Sequence, residues 1–361
     1  MRKNYVVLFS GGTGGHVIPA VNFGNYLIDQ GYYCVLFLDK RGLLYSSRFK
    51  GKVINISSVH FSGNILFKFK SFLLQLCGLV QSLFYLLTIR PSNCIAFGSY
   101  ASFMPLTVAV LLRILRLTQI HLHEQNSVIG RVNLFFLFFS KNIFINFDNI
   151  KNIKSCYIKK LYHVGLPYYN KIIIEKRIIK FSKEKKIKIF VYGGSQGSIN
   201  LNNGFLKIIE KLPNDYYKKF SVVIQASPKQ ISKIETKLKE LKINFKAKNF
   251  FNDIHKILRS CDIAFARSGA GTINDIIMSQ TPSILVPLPK SVYDHQYLNA
   301  KYLFDKKAAQ LVEEKDLNSN ATYLLFKELF DNIDKRVSLI NNLQAIRILD
   351  ANKLIFKKII K

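Results

Sequence analysis

GGTGGHVIPA at Gly11 to Ala20 and GGSQGSINLN at Gly193 to Asn202 each follow a short apolar run of β type, YVVLF at Tyr5 to Phe9 and IKIFVY at Ile187 to Tyr192. Glycine lets the backbone turn sharply from a strand into a helix and lets a ligand come close to main-chain N–H groups. Each half therefore opens as the first βα unit of a doubly wound domain. Two such openings in one chain predict an α/β protein of two similar doubly wound domains facing across a cleft. That arrangement suits an enzyme that brings two different substrates together.

Outward from these turns, apolar runs alternate with helical segments. In the first half the runs are Tyr33 to Leu38, Cys94 to Phe97, Ile120 to His123 and Ile143 to Phe147; in the second they are Ser221 to Gln225, Asp262 to Ala266 and Ser283 to Val286. The alternation predicts parallel sheets with helices on both faces. Asn149 to Lys160 is polar and basic and Gly165-Leu166-Pro167 interrupts the pattern, so the domains are expected to be 1–163 and 164–338. A last helical segment, 339–361, is expected to cross back to the first domain.

The 361 residues are 49% hydrophobic, enough for two cores. Five scattered cysteines, with no C-x-x-C spacing, suggest neither a disulfide framework nor structural zinc, and point to a reduced cytoplasm. The formal charge of +31 predicts attraction to a polyanion such as a membrane surface, nucleic acid or a phosphorylated substrate. Compositional bias, with abundant Lys, Ile, Asn and Phe and no Trp, accounts for the surplus equally well. No basic, aromatic-interleaved nucleic-acid motif is present, so no nucleic-acid partner is expected. The apolar run at the N-terminus stops at Ser10, too short for a signal-peptide core.

Phe72 to Ile89 is about long enough to span a bilayer. Ser71, Gln75, Gly78, Ser82 and Tyr85 recur along it at helical spacing, with Lys68, Lys70 and Arg90 at the ends. An interfacial or groove-lining helix ranks first, a buried core helix second and a true span third.

Ligands of α/β sheets bind beyond the carboxyl ends of the strands. There the second half holds GGSQG, ARSGAGTINDII at Ala266 to Ile277 and PLPKSVYDHQYLNA at Pro287 to Ala300. Small-residue turns that open helices attract phosphate through orphan N–H groups and the helix dipole. No D-x-D pair occurs, so a diphosphate would be held without a metal and no cofactor is expected. Asp275, one turn into a helix, is placed either to accept from a ribose diol or to serve as an ordinary first-turn acid. His16 follows GGTGG at a helix start, where it could remove a proton or merely cap and pack. HEQNSVIGR at His123 to Arg131 crowds polar groups after another strand.

Taken in order, GGTGGHVIPA, HEQNSVIGRVN, GGSQGSINLN, ARSGAGTINDII and PLPKSVYDHQYLNA resemble the successive signature segments of the MurG family. These are N-acetylglucosaminyl transferases of GT-B type that convert the first lipid intermediate of peptidoglycan synthesis into the second. The resemblance implies UDP-N-acetylglucosamine held mainly by the C-terminal domain, with a polyprenyl-pyrophosphate-linked muramyl peptide on the N-terminal one. It places Ser195, Gln196, Ala270, Gly271 and Thr272 at the nucleotide diphosphate, Phe251 against uracil and Asp275 on the ribose. Gln296 and His295 would bind the donor sugar, and Asn126 would meet it from the other side. Thr13, Gly14, Gly15 and His16 would form the acceptor-side phosphate loop, with Tyr100, Ser102 and Glu124 also on that side.

The chain departs from the family at Tyr169 (usually Arg), Asp275 (usually Glu), and Ser99 and Phe103 (usually Gly). The resulting expectation is an inverting, metal-independent glycosyltransferase, peripheral on the cytoplasmic face of the cell membrane, with His16 as candidate base. Two competing readings are another sugar-nucleotide enzyme of the same fold (a glycolipid glycosyltransferase or an epimerase) and a non-catalytic binder of UDP-sugar or lipid.

Overall fold

A computed structural model describes residues 5–59, 65–168, 177, 186–194, 197–251, 254–348 and 350–360, with backbone only for 65–70 and 292. The chain divides into two compact units, Met1–Ile172 with Ile348–Lys361, and Ile173–Arg347.

Unit 1 runs β1 (Tyr5–Phe9), α1 (Gly14–Asp29), β2 (Tyr33–Leu38), β3 (Lys52–Asn55), α2 (Ile65–Ile89), β4 (Asn93–Ala96), α3 (Phe103–Ile114), β5 (Gln119–Glu124), α4 (Arg131–Phe136), β6 (Asn142–Ile145) and β7 (Leu161–His163). Its sheet has the order β3-β2-β1-β4-β5-β6-β7, with every pair parallel. Strand alternation sorts the apolar side chains onto two covered faces. Val7, Phe9, Phe37 and Ala96 pack with Leu86 of α2 and Leu106 of α3. Val6, Leu8, Leu36 and Ile95 pack with Val17 and Phe23 of α1. A parallel sheet buried on both sides explains why its strands read as nearly continuous apolar runs.

Unit 2 runs β8 (Ile187–Tyr192), α5 (Ile199–Glu210), β9 (Phe220–Gln225), α6 (Pro228–Glu240), β10 (Asn244–Lys248), α7 (Ile254–Ser260), β11 (Ile263–Ala266), α8 (Ala270–Ser279), β12 (Ser283–Leu285), α9 (His295–Asp305), β13 (Gln310–Leu311), α10 (Asn320–Asp331) and α11 (Ile333–Ala345). The sheet order is β10-β9-β8-β11-β12-β13, again with all pairs parallel. In each unit the strand order reverses beside the strand that feeds a glycine turn, between β1 and β4 and between β8 and β11. A doubly wound sheet binds ligand at such a switch point.

Val164, near the expected boundary, is buried in the core of unit 1 with Ile355. The single terminal helix is broken: α11 ends at Ala345, and a separate α12 (Ala351–Ile359) follows. α12 belongs to unit 1, where Phe356 meets Tyr26 and Tyr32 edge-on at 5.8 and 5.4 Å.

In α2 the weakly polar stripe faces inward. Ser71, Gln75 and Ser82 are buried, and Gln75 Nε2 donates to the Val59 carbonyl at 2.8 Å. At Gly78 a Cβ would lie 2.1 Å from the Ser57 carbonyl oxygen, so only glycine permits this approach. Phe72, Leu73, Leu76, Val80, Leu83, Phe84 and Leu87 point outward instead. The Ser71–Ile89 stretch is long and apolar enough to cross a membrane.

Candidate active site

In unit 1 the turn after β1 has Gly12 at φ +75, a conformation glycine alone adopts freely. A Cβ on Gly11 would stand 2.5 Å from Ala101 Cβ, so this residue lets the turn lie against the loop after β4. Thr13 caps α1 with extended backbone, and Gly14 and Gly15 begin the helix. Their first-turn N–H groups have no intrahelical acceptors.

His16, half-buried in that first turn, is held by a chain of hydrogen bonds. The Gly165 carbonyl can only accept, so His123 Nε2 donates to it at 3.1 Å. His123 Nδ1 then accepts from Gln125 Nε2 at 3.2 Å. Gln125 Oε1 in turn accepts from His16 Nδ1 at 2.8 Å, where the Phe97 carbonyl also lies at 2.9 Å. Burial pushes the His123 imidazole down to about 4, so it stays neutral and keeps the polarity of the chain. His16 therefore carries a proton on Nδ1, and among the described residues no hydrogen bond engages its Nε2. The roles of His123 and Gln125 escaped the sequence reading, although both stand in the HEQN segment.

Glu124 and Ser102, expected on the acceptor side, are both held by bonds within unit 1. Glu124 is 2% exposed, and its oxygens accept from the Asn126 and Gly130 N–H groups at 3.1 and 2.9 Å and from Asn133 Nδ2 at 2.9 Å. Such a carboxylate organises its own loop. Ser102 is fully buried and donates to the Gly98 carbonyl at 2.6 Å. Asn126 is half-buried at the loop, its amide 3.4 Å from Glu124. Tyr100 lies at the glycine turn, donating to Asp39 at 3.2 Å. Ser99 holds φ +71 and ψ 144, so the backbone keeps a glycine-like conformation although the residue is not glycine.

In unit 2, Gly194 and Gly197 take φ +82 and +70, and a Cβ on Gly193 would lie 2.4 Å from the Ser198 nitrogen. Ser195, Gln196 and Tyr169 lie outside the described residues. Ser198 caps α5, accepting from the Leu201 N–H at 3.4 Å. α8 starts at Ala270, where a Cβ on Gly269 or Gly271 would meet nothing within 4 Å. The first turn of α8 is thus open to a ligand, although Ala270 and Thr272 have buried side chains. Gln296 Oε1 accepts from the Leu288 N–H at 3.1 Å. His295 opens α9 beside it, after Tyr293 and Asp294, both at positive φ.

Arg267, at the end of β11, links these loops. Its guanidinium donates to Ser198 Oγ at 2.7 Å and to the Val286 and Pro287 carbonyls at 3.1 and 3.0 Å, and it pairs with Glu314.

Asp275 is mostly buried on α8, with Oδ1 3.4 Å from His255 Nδ1 on α7. Burial pushes its carboxyl well above the usual carboxylate range, and burial pushes His255 down to about 4. Phe251, expected against uracil, packs inward. Its ring is buried edge-on against Phe190 at 5.7 Å, and the exposed ring of the pair is Phe250.

Comparison with known proteins agrees across both units. Residues 6–145 match the glycosyltransferase family 28 N-terminal domain and residues 188–354 its C-terminal domain. A Wolbachia protein from Drosophila simulans, named UDP-N-acetylglucosamine–N-acetylmuramyl-(pentapeptide) pyrophosphoryl-undecaprenol N-acetylglucosamine transferase, is 34% identical over 95% of this chain and 92% of its own. A protein of the same name from Rickettsia felis is 32% identical with the same coverage. Among solved structures, Acinetobacter baumannii MurG superposes with a TM-score of 0.78 at 20% identity, covering 99% of each chain. A Neisseria meningitidis UDP-GlcNAc 2-epimerase bound to UDP-GlcNAc gives 0.66 at 13% identity, covering 99% of each chain, so the fold by itself does not separate the activities. With full-length relatives above 30% identity and both halves matched, this chain belongs to the MurG family of family 28 glycosyltransferases.

Proposed function

We propose that the chain transfers N-acetylglucosamine from UDP-N-acetylglucosamine to the muramyl sugar of undecaprenyl-pyrophosphoryl-MurNAc-pentapeptide, converting lipid I to lipid II in peptidoglycan synthesis. The observation that carries this reading is the match to transferases of that name over 95% of the chain. His16 Nε2 takes the proton of the muramyl hydroxyl as its oxygen attacks the anomeric carbon from the face opposite UDP, through an oxocarbenium-like state. Charge gathering on the leaving diphosphate is met by the N-terminal N–H groups of α5 and α8. Asp275 accepts from the ribose, and the Gln296 amide from the donor side reaches the sugar.

The test is incubation of purified protein with labelled UDP-N-acetylglucosamine and the muramyl-pentapeptide lipid, in EDTA. A disaccharide lipid is the expected product. Donor binding without transfer would instead indicate a non-catalytic binder, and a free epimerised sugar an epimerase.

Asp275→Asn is expected to weaken UDP binding about two- to tenfold in calorimetry, since the bond made by a carboxyl that burial keeps protonated contributes about 0.5–1.5 kcal/mol. The same variant should gain stability at high pH. A carboxyl raised in the folded state binds its proton more tightly there than in the unfolded chain, so its contribution is full below the ordinary carboxylate range and is lost as pH rises through the raised value. Unfolding curves that respond to pH identically in wild type and variant would show that this carboxyl is not perturbed.

The outward apolar face of α2, with Ile114 and Leu115 at the end of α3 and Phe135 and Phe138 at α4, suits the cytoplasmic leaflet of the cell membrane as a peripheral site. Exposed Arg90, Arg116 and Arg131 on the same unit supply charge for anionic headgroups. Phe84→Ser with Phe135→Ser is expected to reduce sedimentation with anionic vesicles by roughly tenfold or more, since full burial of a Phe contributes about 1.5–3 kcal/mol. Protein that stays with membranes through carbonate washing would restore the spanning reading of α2.

A further inference from the structure

Beside the acceptor-side glycine turn stands a cluster that the functional reading leaves unused. Asp39, at the end of β2, is 2% exposed. Its Oδ1 accepts from the N–H groups of Gly12 and Gly42 at 2.8 and 2.9 Å, and its Oδ2 from the Tyr100 hydroxyl at 3.2 Å and Arg41 Nε at 3.4 Å. A buried carboxylate with that many donors holds them in place. Arg41 Nη2 also donates to the Tyr100 hydroxyl, and its guanidinium lies 5.1 Å from the Tyr100 ring centroid. Burial first, and Asp39 second, raise the Tyr100 phenol, which keeps it neutral and donating.

The guanidinium reaches the turn itself. Arg41 Nη2 lies 3.5 Å from where a Cβ on Gly12 would stand, and Ser99 Oγ lies 3.3 Å from the same point. Ser99 is kept there at φ +71, a strained conformation for a residue with a side chain. A surface arginine paired with a mobile carboxylate is worth little and points nowhere in particular. Here the carboxylate is buried and bonded to backbone, so the cation is fixed at the turn, while the side chain remains 58% exposed. Among the described residues Nη1 has no partner.

We propose that Arg41 is a substrate-binding residue that grips the diphosphate of the polyprenyl-linked acceptor at the Gly11–Gly15 turn, with Asp39 and Tyr100 positioning it. The proposal rests on the transferase reading. A planar fork fits two phosphate oxygens at once, which the backbone N–H groups of a single turn do less well, and a residue positioned before binding loses less freedom on binding.

The experiment compares wild type, Arg41→Ala and Arg41→Lys with a water-soluble, short-chain muramyl-pentapeptide diphosphate acceptor, first without membranes and then with anionic vesicles. Arg41→Ala should raise the acceptor KM about ten- to a hundredfold, and Arg41→Lys less, with donor KM and UDP affinity by calorimetry unchanged. Unchanged UDP affinity also certifies the fold of unit 2, and an unchanged circular-dichroism spectrum and melting temperature that of unit 1. An unchanged acceptor KM would overturn the assignment. So would a defect seen only with vesicles, which would give Arg41 to phospholipid headgroups. Failure of the wild type to transfer at all would count against the transferase reading instead.

Discussion

Replacing Arg267 by alanine is expected to destabilise unit 2 by about 3–5 kcal/mol, the cost of breaking a buried ion pair from one side. Arg267 is 4% exposed, and its removal takes the arginine donor from Glu314 Oε2, Ser198 Oγ and the Val286 and Pro287 carbonyls. For a unit of this size the melting transition should fall by roughly 6–20 °C. UDP binding should fall with it, because the loops after β8, β11 and β12 are the ones this side chain ties together. Arg267→Met combined with Glu314→Gln should recover part of the loss, since the double variant leaves no unpaired charge. Differential scanning calorimetry of the single and double variants checks this. A melting temperature within a degree or two of wild type for Arg267→Ala would mean that the loops hold one another without it.

Why Arg267 was invisible in the sequence is a matter of range. It sits inside ARSGAGT, and its neighbours there marked a helix-opening turn correctly, but its partners are 69, 19, 20 and 47 residues away. Local pattern carries no information about such contacts. The same holds for Asp39 and Arg41 against Gly12 and Tyr100, and for the His16–Gln125–His123 chain. Signals that depend only on backbone conformation were legible. Gly12, Gly194 and Gly197 all take positive φ, so the glycine turns could be read as turns. Strands buried on both faces were also legible, and Tyr5–Phe9, Tyr33–Leu38 and Ile187–Tyr192 fall where their apolar runs do.

Edge strands were not. β10 alternates exposed and half-buried positions in NFKAK, and β3 buries only Ile54, so neither forms an apolar run that stands out from loop. Phe250 and Phe251 show a finer limit. Two adjacent aromatics beyond a strand have no period to fix which one turns inward, and only packing on Phe190 decides it. The terminal helix was legible as helical but not as broken, because nothing short-range in Ile346 to Asp350 opposes continuation as a proline would.

Glu124→Ala is the substitution that separates scaffold from substrate contact. The Asn126 and Gly130 N–H groups and the Asn133 amide would lose their acceptor inside unit 1. At about 1–3 kcal/mol for each buried group left unsatisfied, the expected loss of stability is about 3 kcal/mol or more. Asn133 also donates to the His123 carbonyl at 3.1 Å, and Asn146 to that of Gln125 at 3.0 Å, so a loosened loop reaches the chain that sets the tautomer of His16. The kinetic signature is therefore a fall in kcat with a lowered melting temperature for unit 1. A residue that touched the acceptor would instead raise its KM and leave the melting temperature alone. Glu124→Gln, which keeps the shape but turns one acceptor into a donor, should lie between wild type and alanine in both measurements. If it melts like wild type yet loses the acceptor, the carboxylate faces substrate during turnover and its bonds within the loop are those of the resting enzyme alone.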